Sequence, residues 1–299
     1  MNKIERLEDL ENFLISPVNI YWLKKSGKQV CVLPVGGVVD LSSLKKYPEI
    51  KIESFFDVAL YENFLQLFQE FNNAHFEKER IETYSKFISL ISNDYWYGKN
   101  DVSLLPMVMA CVETFFDKGN SFPVNLKFKS EIIFQRSLLL GTMNVVYSIL
   151  IGHLSYSFMK EAFNLALYYE HELVTNHLNT NFIQELEAGI AGKYPAEFVE
   201  KVVKDKVIDV FSFPFFSTLL KKHYEKIDGS GATGINGDEM NDTERLYCSL
   251  HHSLKIRTPS YDYDDGRGYL MGLVGHMKLD KKLEMTIYSN FNLQTAVGA

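Results

Sequence analysis

Among the eight histidines of this 299-residue chain, His223 opens the densest chemical stretch, HYEKIDGSGATGINGDEM, His223–Met240. An imidazole and a carboxylate, His223 and Glu225, stand directly before an Asp-Gly-Ser-Gly turn and a second glycine-rich, acidic loop. Neutral imidazoles and carboxylates are the ligands of zinc, iron and manganese. Such ions polarise phosphodiesters and supply hydroxide at neutral pH. Three further residues have the right type: the adjacent pair His171 and Glu172 in LALYYEHELV, and His251 in SLHHSL. By type alone, these three imidazoles with Glu172 could hold one zinc or iron ion. The plain alternative is that each is an ordinary helical residue with a local hydrogen bond. Gly229 and Gly231 then merely supply positive φ for a tight helix–loop–helix connection, with Asp228 capping the turn.

A histidine at a helix end, then EKIDGSG, then GINGDEM, then a helix opening on ERLYCSL, resembles the signature loop of the HD-GYP family. His223, Glu225, Asp228, Gly229, Gly231, Gly234, Ile235, Gly237, Glu239, Met240, Arg245 and Leu246 stand at or near family positions. The resemblance is specific in this loop and topological elsewhere, over roughly residues 125 to the C-terminus. It implies an all-helical domain of the HD phosphohydrolase superfamily, whose members hydrolyse cyclic di-GMP at a site of two or more metal ions.

The ligand set that the resemblance implies is largely missing. Its first histidine would fall near Gln135–Ser137, where there is none. Its His-Asp pair becomes His171-Glu172, whose extra methylene displaces the carboxylate, and the lysine three residues on becomes Thr175. Its lone histidine meets Lys204 and Asp205, its His-His pair becomes His223-Tyr224, and its last aspartate becomes His251. The Tyr-Pro of the loop becomes Ala232-Thr233, with one residue fewer before Gly234. The expectation is therefore a degenerate, catalytically inactive HD-GYP-like scaffold in cyclic di-GMP signalling. Its partner would be a GGDEF-type or response-regulator protein, bound through Asp228, Gly229, Gly231, Ala232, Thr233, Gly234, Asn236 and Asp238. No cofactor is expected. Two alternatives stand beside it. One is a divergent phosphodiesterase using iron, manganese or zinc at His171, Glu172, His223 and His251. The other is a sensor that binds cyclic di-GMP without cutting it.

Other chemistry is weaker. GGVVD lacks nucleotide-loop spacing, no Gly-x-Ser-x-Gly occurs, and DYDDGRG (Asp262–Gly268) misses the calcium-loop spacing and reads as an acidic turn. His177 and His252 read as surface or core histidines, and His75 and His276 belong to no constellation.

These residues need elements to position them. The chain is 46% apolar, enough for a large core, and its net charge of −7 disfavours nucleic acid as a partner. Three scattered cysteines give no disulfide framework, and the charged start lacks a leader's apolar run, so a cytoplasmic protein is expected. Val18–Lys24 and Lys28–Val35 read as a β-hairpin around Ser26-Gly27, with Lys51–Ala59 as a third extended segment. Helical periodicity starts at Tyr61, and a helix is expected between Asp101 and Gly119. The fold class is thus α+β: a mixed N-terminal domain over 1–122, then a helical HD-GYP-like domain over 123–299. Asn120–Phe128 marks the boundary. Helices are expected over 129–151, 156–178, 181–190, 195–210, 214–224, from Asp242 or Thr243, and over 280–291. Ser137–Met159 is long enough to span a bilayer, but its polar residues and glycines favour a helix buried inside a bundle.

Overall fold

The computed structural model describes residues 4–54, 57–91, 102–119, 121–169, 200, 210–254, 262–263, 272–275 and 279–291. A small antiparallel sheet is followed by a largely helical region, the α+β class expected. β1 (Val18–Leu23) lies between β2 (Gln29–Leu33) and β3 (Ile50–Ser54). Gly27 takes φ +81° in the β1–β2 turn, a conformation that glycine adopts without a Cβ penalty. One face of the sheet carries Val18, Ile20 and Leu33. With Leu10, Val39 and the Leu44 of α1 (Leu41–Leu44) they close a small core.

The helical region begins with α2 (Val58–Asn73), which starts where Asp57 accepts a hydrogen bond from the Leu60 amide. The expected third extended segment therefore ends at Ser54, before that cap. α2 places Phe64, Phe68 and Phe71 on one face, against Phe87 of α3 (Glu77–Ser89) and Phe115 of α4 (Leu105–Phe115). α4 begins with Pro106 in its first turn, not near Asp101. Just ahead of it β4 (Val102–Ser103) pairs with β5 (Asp262–Tyr263), so the start of the supposed acidic turn is strand.

Asn120–Phe128 does not break the fold: α5 (Ser121–Lys129) is helical there, with Leu126 buried. α6 (Glu131–Leu150) and α7 (Tyr156–Tyr168) follow, and one continuous core takes in residues from Ile15 to Ile287. The helices before residue 122 thus share their core with those after it. Among the described residues α8 (Pro214–Lys222), α9 (Asp242–Ser253) and α10 (Lys281–Phe291) come after them. Glu161 of α7 caps α8 by accepting from the Ser212 and Phe213 amides at 2.8 and 3.0 Å. The helices expected over 181–190 and 195–210 fall outside the described residues, Glu200 and Val210 apart.

α6 is the central element. Its length and composition would suit a bilayer, yet 94% of its apolar window is buried inside the protein. Several of its polar side chains find partners: Thr142 donates to the Leu138 carbonyl at 2.9 Å and Asn144 to the Ala162 carbonyl at 3.1 Å. Gln135 donates to the Gly36 carbonyl at 3.2 Å, which ties the helix to the N-terminal sheet unit. α6 and α7 approach most closely at Gly141, where a Cβ would lie 2.7 Å from the Phe163 carbonyl oxygen. Gly141→Ala gains about 1 kcal/mol of helix propensity. The forced separation of the two backbones costs about 1–3 kcal/mol. The variant is expected to be destabilised by about 1 kcal/mol net, read as a lower urea midpoint with an unchanged slope. Equal or greater stability would show that the helices part freely.

Candidate functional site

Glu225 organises the glycine-rich loop. Its side chain is fully buried, and its two carboxylate oxygens accept four hydrogen bonds from the far limb of the loop. Oε1 accepts from the Thr233 amide at 2.7 Å and the Thr233 hydroxyl at 2.9 Å. Oε2 accepts from the Gly234 and Ile235 amides at 3.1 and 3.2 Å. Hydrogen bonds to a carboxylate are roughly twice as strong as neutral ones. The loop must fold back onto Glu225 to make them, and that demands glycine. A Cβ at Gly231 would sit 2.4 Å from the Glu225 Cα, and Gly234 adopts φ +85°.

The rest of the loop is built from local caps. Asp228 accepts from the Ser230 amide at 3.0 Å, and Asn236 from the Asp238 amide at 2.9 Å. α9 is capped one residue earlier than expected. Asn241 accepts from the Glu244 amide at 2.9 Å while the Glu244 carboxylate accepts from the Asn241 amide at 3.0 Å. Glu244 also meets Lys222 at 2.9 Å, joining the two helices that flank the loop. Of the residues expected to meet a partner, Asp228, Thr233, Gly234, Asn236 and Asp238 are exposed and Gly229 is half-buried. Gly231 and Ala232 are buried and belong to the packing, so they offer no contact surface.

Beneath the loop, His223 and His251 do come together, with ring centroids 5.1 Å apart. Both are buried, and Tyr169 stacks on His223 at 4.6 Å. The His223 Nε2 lies 2.6 Å from the Tyr169 carbonyl oxygen, and its Nδ1 is bonded to the Leu220 carbonyl. The Tyr224 hydroxyl donates to the same Tyr169 carbonyl at 3.0 Å. Arg136 of α6 is buried beside them. It donates to the Leu254 carbonyl at 2.9 Å and the His251 carbonyl at 2.6 Å, capping the C-terminus of α9 with positive charge. Burial first, then the charges of Arg136 and His252, hold His251 well below the ordinary histidine range, so its ring is neutral. Burial likewise pushes the Tyr169 hydroxyl and the Cys248 thiol upward, and neither ionises near neutrality.

His223 is not open to a metal ion. Each His223 nitrogen faces a carbonyl oxygen, so an ion could reach neither without displacing it. A guanidinium already occupies the interior next to His251. Among the described residues no three His, Cys, Asp or Glu side chains are grouped to hold an ion. His171, Glu172, Thr175, His177, Lys204, Asp205 and His276 lie outside the described residues. His153 is half-buried, stacks on Phe158 at 4.4 Å and is bonded to Thr243 at 3.2 Å. His252 is not an idle surface residue, because its Nε2 donates to the Glu225 carbonyl at 2.9 Å. Sequence reasoning missed the roles of Glu225, His252 and Arg136. For Glu225 a signal existed, since a carboxylate directly before a glycine-rich turn is a ready acceptor for its amides. No family model, curated protein or solved structure matches the chain.

Two outcomes follow from this geometry. Glu225→Ala strands three loop amides and the Thr233 hydroxyl, with water replacing part of what is lost. A destabilisation of about 2–3 kcal/mol is expected, with faster proteolysis within 228–240. Unaltered cleavage kinetics would mean that other contacts hold the loop. His251 makes stability depend on pH. Its folded value is depressed below the ordinary 6.5, so the unfolded chain binds the extra proton. Its contribution is complete above pH 6.5 and is lost as the pH falls from there toward the folded value. Denaturant midpoints should drop on acidification, with a slope approaching about 1.4 kcal/mol per pH unit for this residue. His251→Gln should flatten that slope, and an equally steep profile in the variant would refute the assignment.

Proposed function

We propose that the chain is a non-catalytic interaction module, a degenerate relative of HD-GYP proteins that works as a scaffold in cyclic di-GMP signalling. One observation carries this reading. The buried Glu225 holds the signature loop in a defined shape, while both ring nitrogens of His223 beneath it face backbone carbonyls. A hydrolytic centre needs free ligand nitrogens and a metal-activated water. A docking loop needs shape and exposed polar groups. The loop has both, and its exposed side chains are acidic, amide or hydroxyl with no cation among them, which suits a basic surface on the partner. The partner class is a GGDEF-type or response-regulator protein.

The informative substitution is Asp238→Lys. The Asp238 side chain is exposed and makes no hydrogen bond among the described residues, so reversing its charge leaves the loop intact. Binding to a purified GGDEF-type partner of the same cell should weaken about tenfold, chiefly through slower association, while circular dichroism stays unchanged. An undiminished affinity would move the interface away from this loop. The protein supplied with iron, manganese or zinc is expected to leave cyclic di-GMP intact. Turnover abolished by His223→Ala would instead establish the phosphodiesterase.

A further inference from the structure

We infer that a second site, unconnected with the glycine-rich loop, binds a small primary amine carrying an apolar body. It is the cleft between the N-terminal segment Asn12–Ile15 and helices α2 and α4, with a volume of about 520 Å3. That size falls within the roughly 300–1,000 Å3 of small-molecule sites.

Apolar side chains make its floor and walls. Met109 and Val112 of α4 are buried, and Phe13 and Leu65 are half-buried at its sides. The N-terminal wall is fixed by backbone pairing: the Val39 amide donates to the Leu14 carbonyl at 3.0 Å, and Ile15 bridges to Val38. The cleft is therefore preformed and lies where the small core meets the large one.

Its polar groups select the charge of the ligand. The Tyr61 hydroxyl donates to Oε2 of Glu113, and both residues line the cleft. This bond orients the carboxylate and leaves its other oxygen as an acceptor. Burial, then Glu113 itself, keeps the Tyr61 hydroxyl protonated and donating. Glu62 adds a second carboxylate and Lys118 one ammonium, so the charged lining is net −1. Glu113 is exposed at the mouth of the cleft, so an ammonium directed at it gains a charge-assisted hydrogen bond that water partly screens. Its hydrocarbon body then covers Phe13, Leu65, Met109 and Val112. An anion of the same shape meets repulsion from Glu62 and Glu113.

The test uses the full chain, with phenethylamine as probe and 3-phenylpropionate as its anionic counterpart at equal ionic strength. Phenethylamine should raise Tm saturably, by about 2 °C at ten times its Kd. Phenylpropionate should not. Glu113→Gln keeps the shape and removes the charge, and should weaken phenethylamine about threefold. Leu65→Trp should fill the cleft and abolish the shift. If that variant fails to fold, Glu113→Gln decides alone. No saturable shift, equal shifts in wild type and Glu113→Gln, or tighter binding of phenylpropionate would each overturn the inference.

Discussion

The fold at the candidate site depends on one buried carboxylate. Glu225 has no access to water, and its oxygens are satisfied only because the chain returns to it eight to ten residues later. Without those donors a buried carboxylate costs several kcal/mol. Without the carboxylate, the amides of Thr233, Gly234 and Ile235 lose their acceptor. Each side makes the other possible. The glycines are the geometric condition of that exchange, because the Glu225 Cα leaves no space for a Cβ at Gly231. Gly237 meets a similar limit against the Ile227 side chain at 2.7 Å.

The same accounting extends downward into the bundle. The Glu225 carbonyl accepts from His252, the His251 carbonyl from Arg136, and the Tyr169 carbonyl from Tyr224. These side chains end helices and seal a junction of α6, α8 and α9 that would otherwise bury orphan carbonyls. Arg136 is placed where its charge serves twice: it meets the negative end of α9, and it adds to the burial that keeps His251 neutral. These polar residues of the junction have a structural task.

Much of the fold was legible in the sequence, and the misreadings have physical causes. The hairpin around Gly27, the start of α8 at Pro214 and the burial of α6 followed from turn chemistry, the fixed φ of proline, and polar residues inside an apolar run. Asn120–Phe128, read as a boundary, is helical from Ser121 although it carries Pro123. The proline sits in the first turn of α5, where its missing amide proton is harmless. The β4–β5 pair was invisible because two-residue strands have no periodicity, and their partners lie about 160 positions apart. At the site, the types and spacing of residues located the loop and the His223–His251 pair. They gave no sign that the His223 nitrogens face carbonyls, since that is set by where Leu220 and Tyr169 bring their backbones.

Glycine content by itself is a poor guide to what the loop does. A glycine-rich loop invites the inference that a partner maintains it, yet Gly231, Gly234 and Gly237 each have a folding reason to be there. The same holds for Asp228, Thr233 and Asn236, whose side-chain oxygens build turns or meet Glu225. Folding accounts for the frame. It does not account for Asp238, an exposed carboxylate whose side chain no described hydrogen bond uses. Function on this surface is therefore read from the residues that the fold does not need, and the frame sets only where they stand and how rigidly.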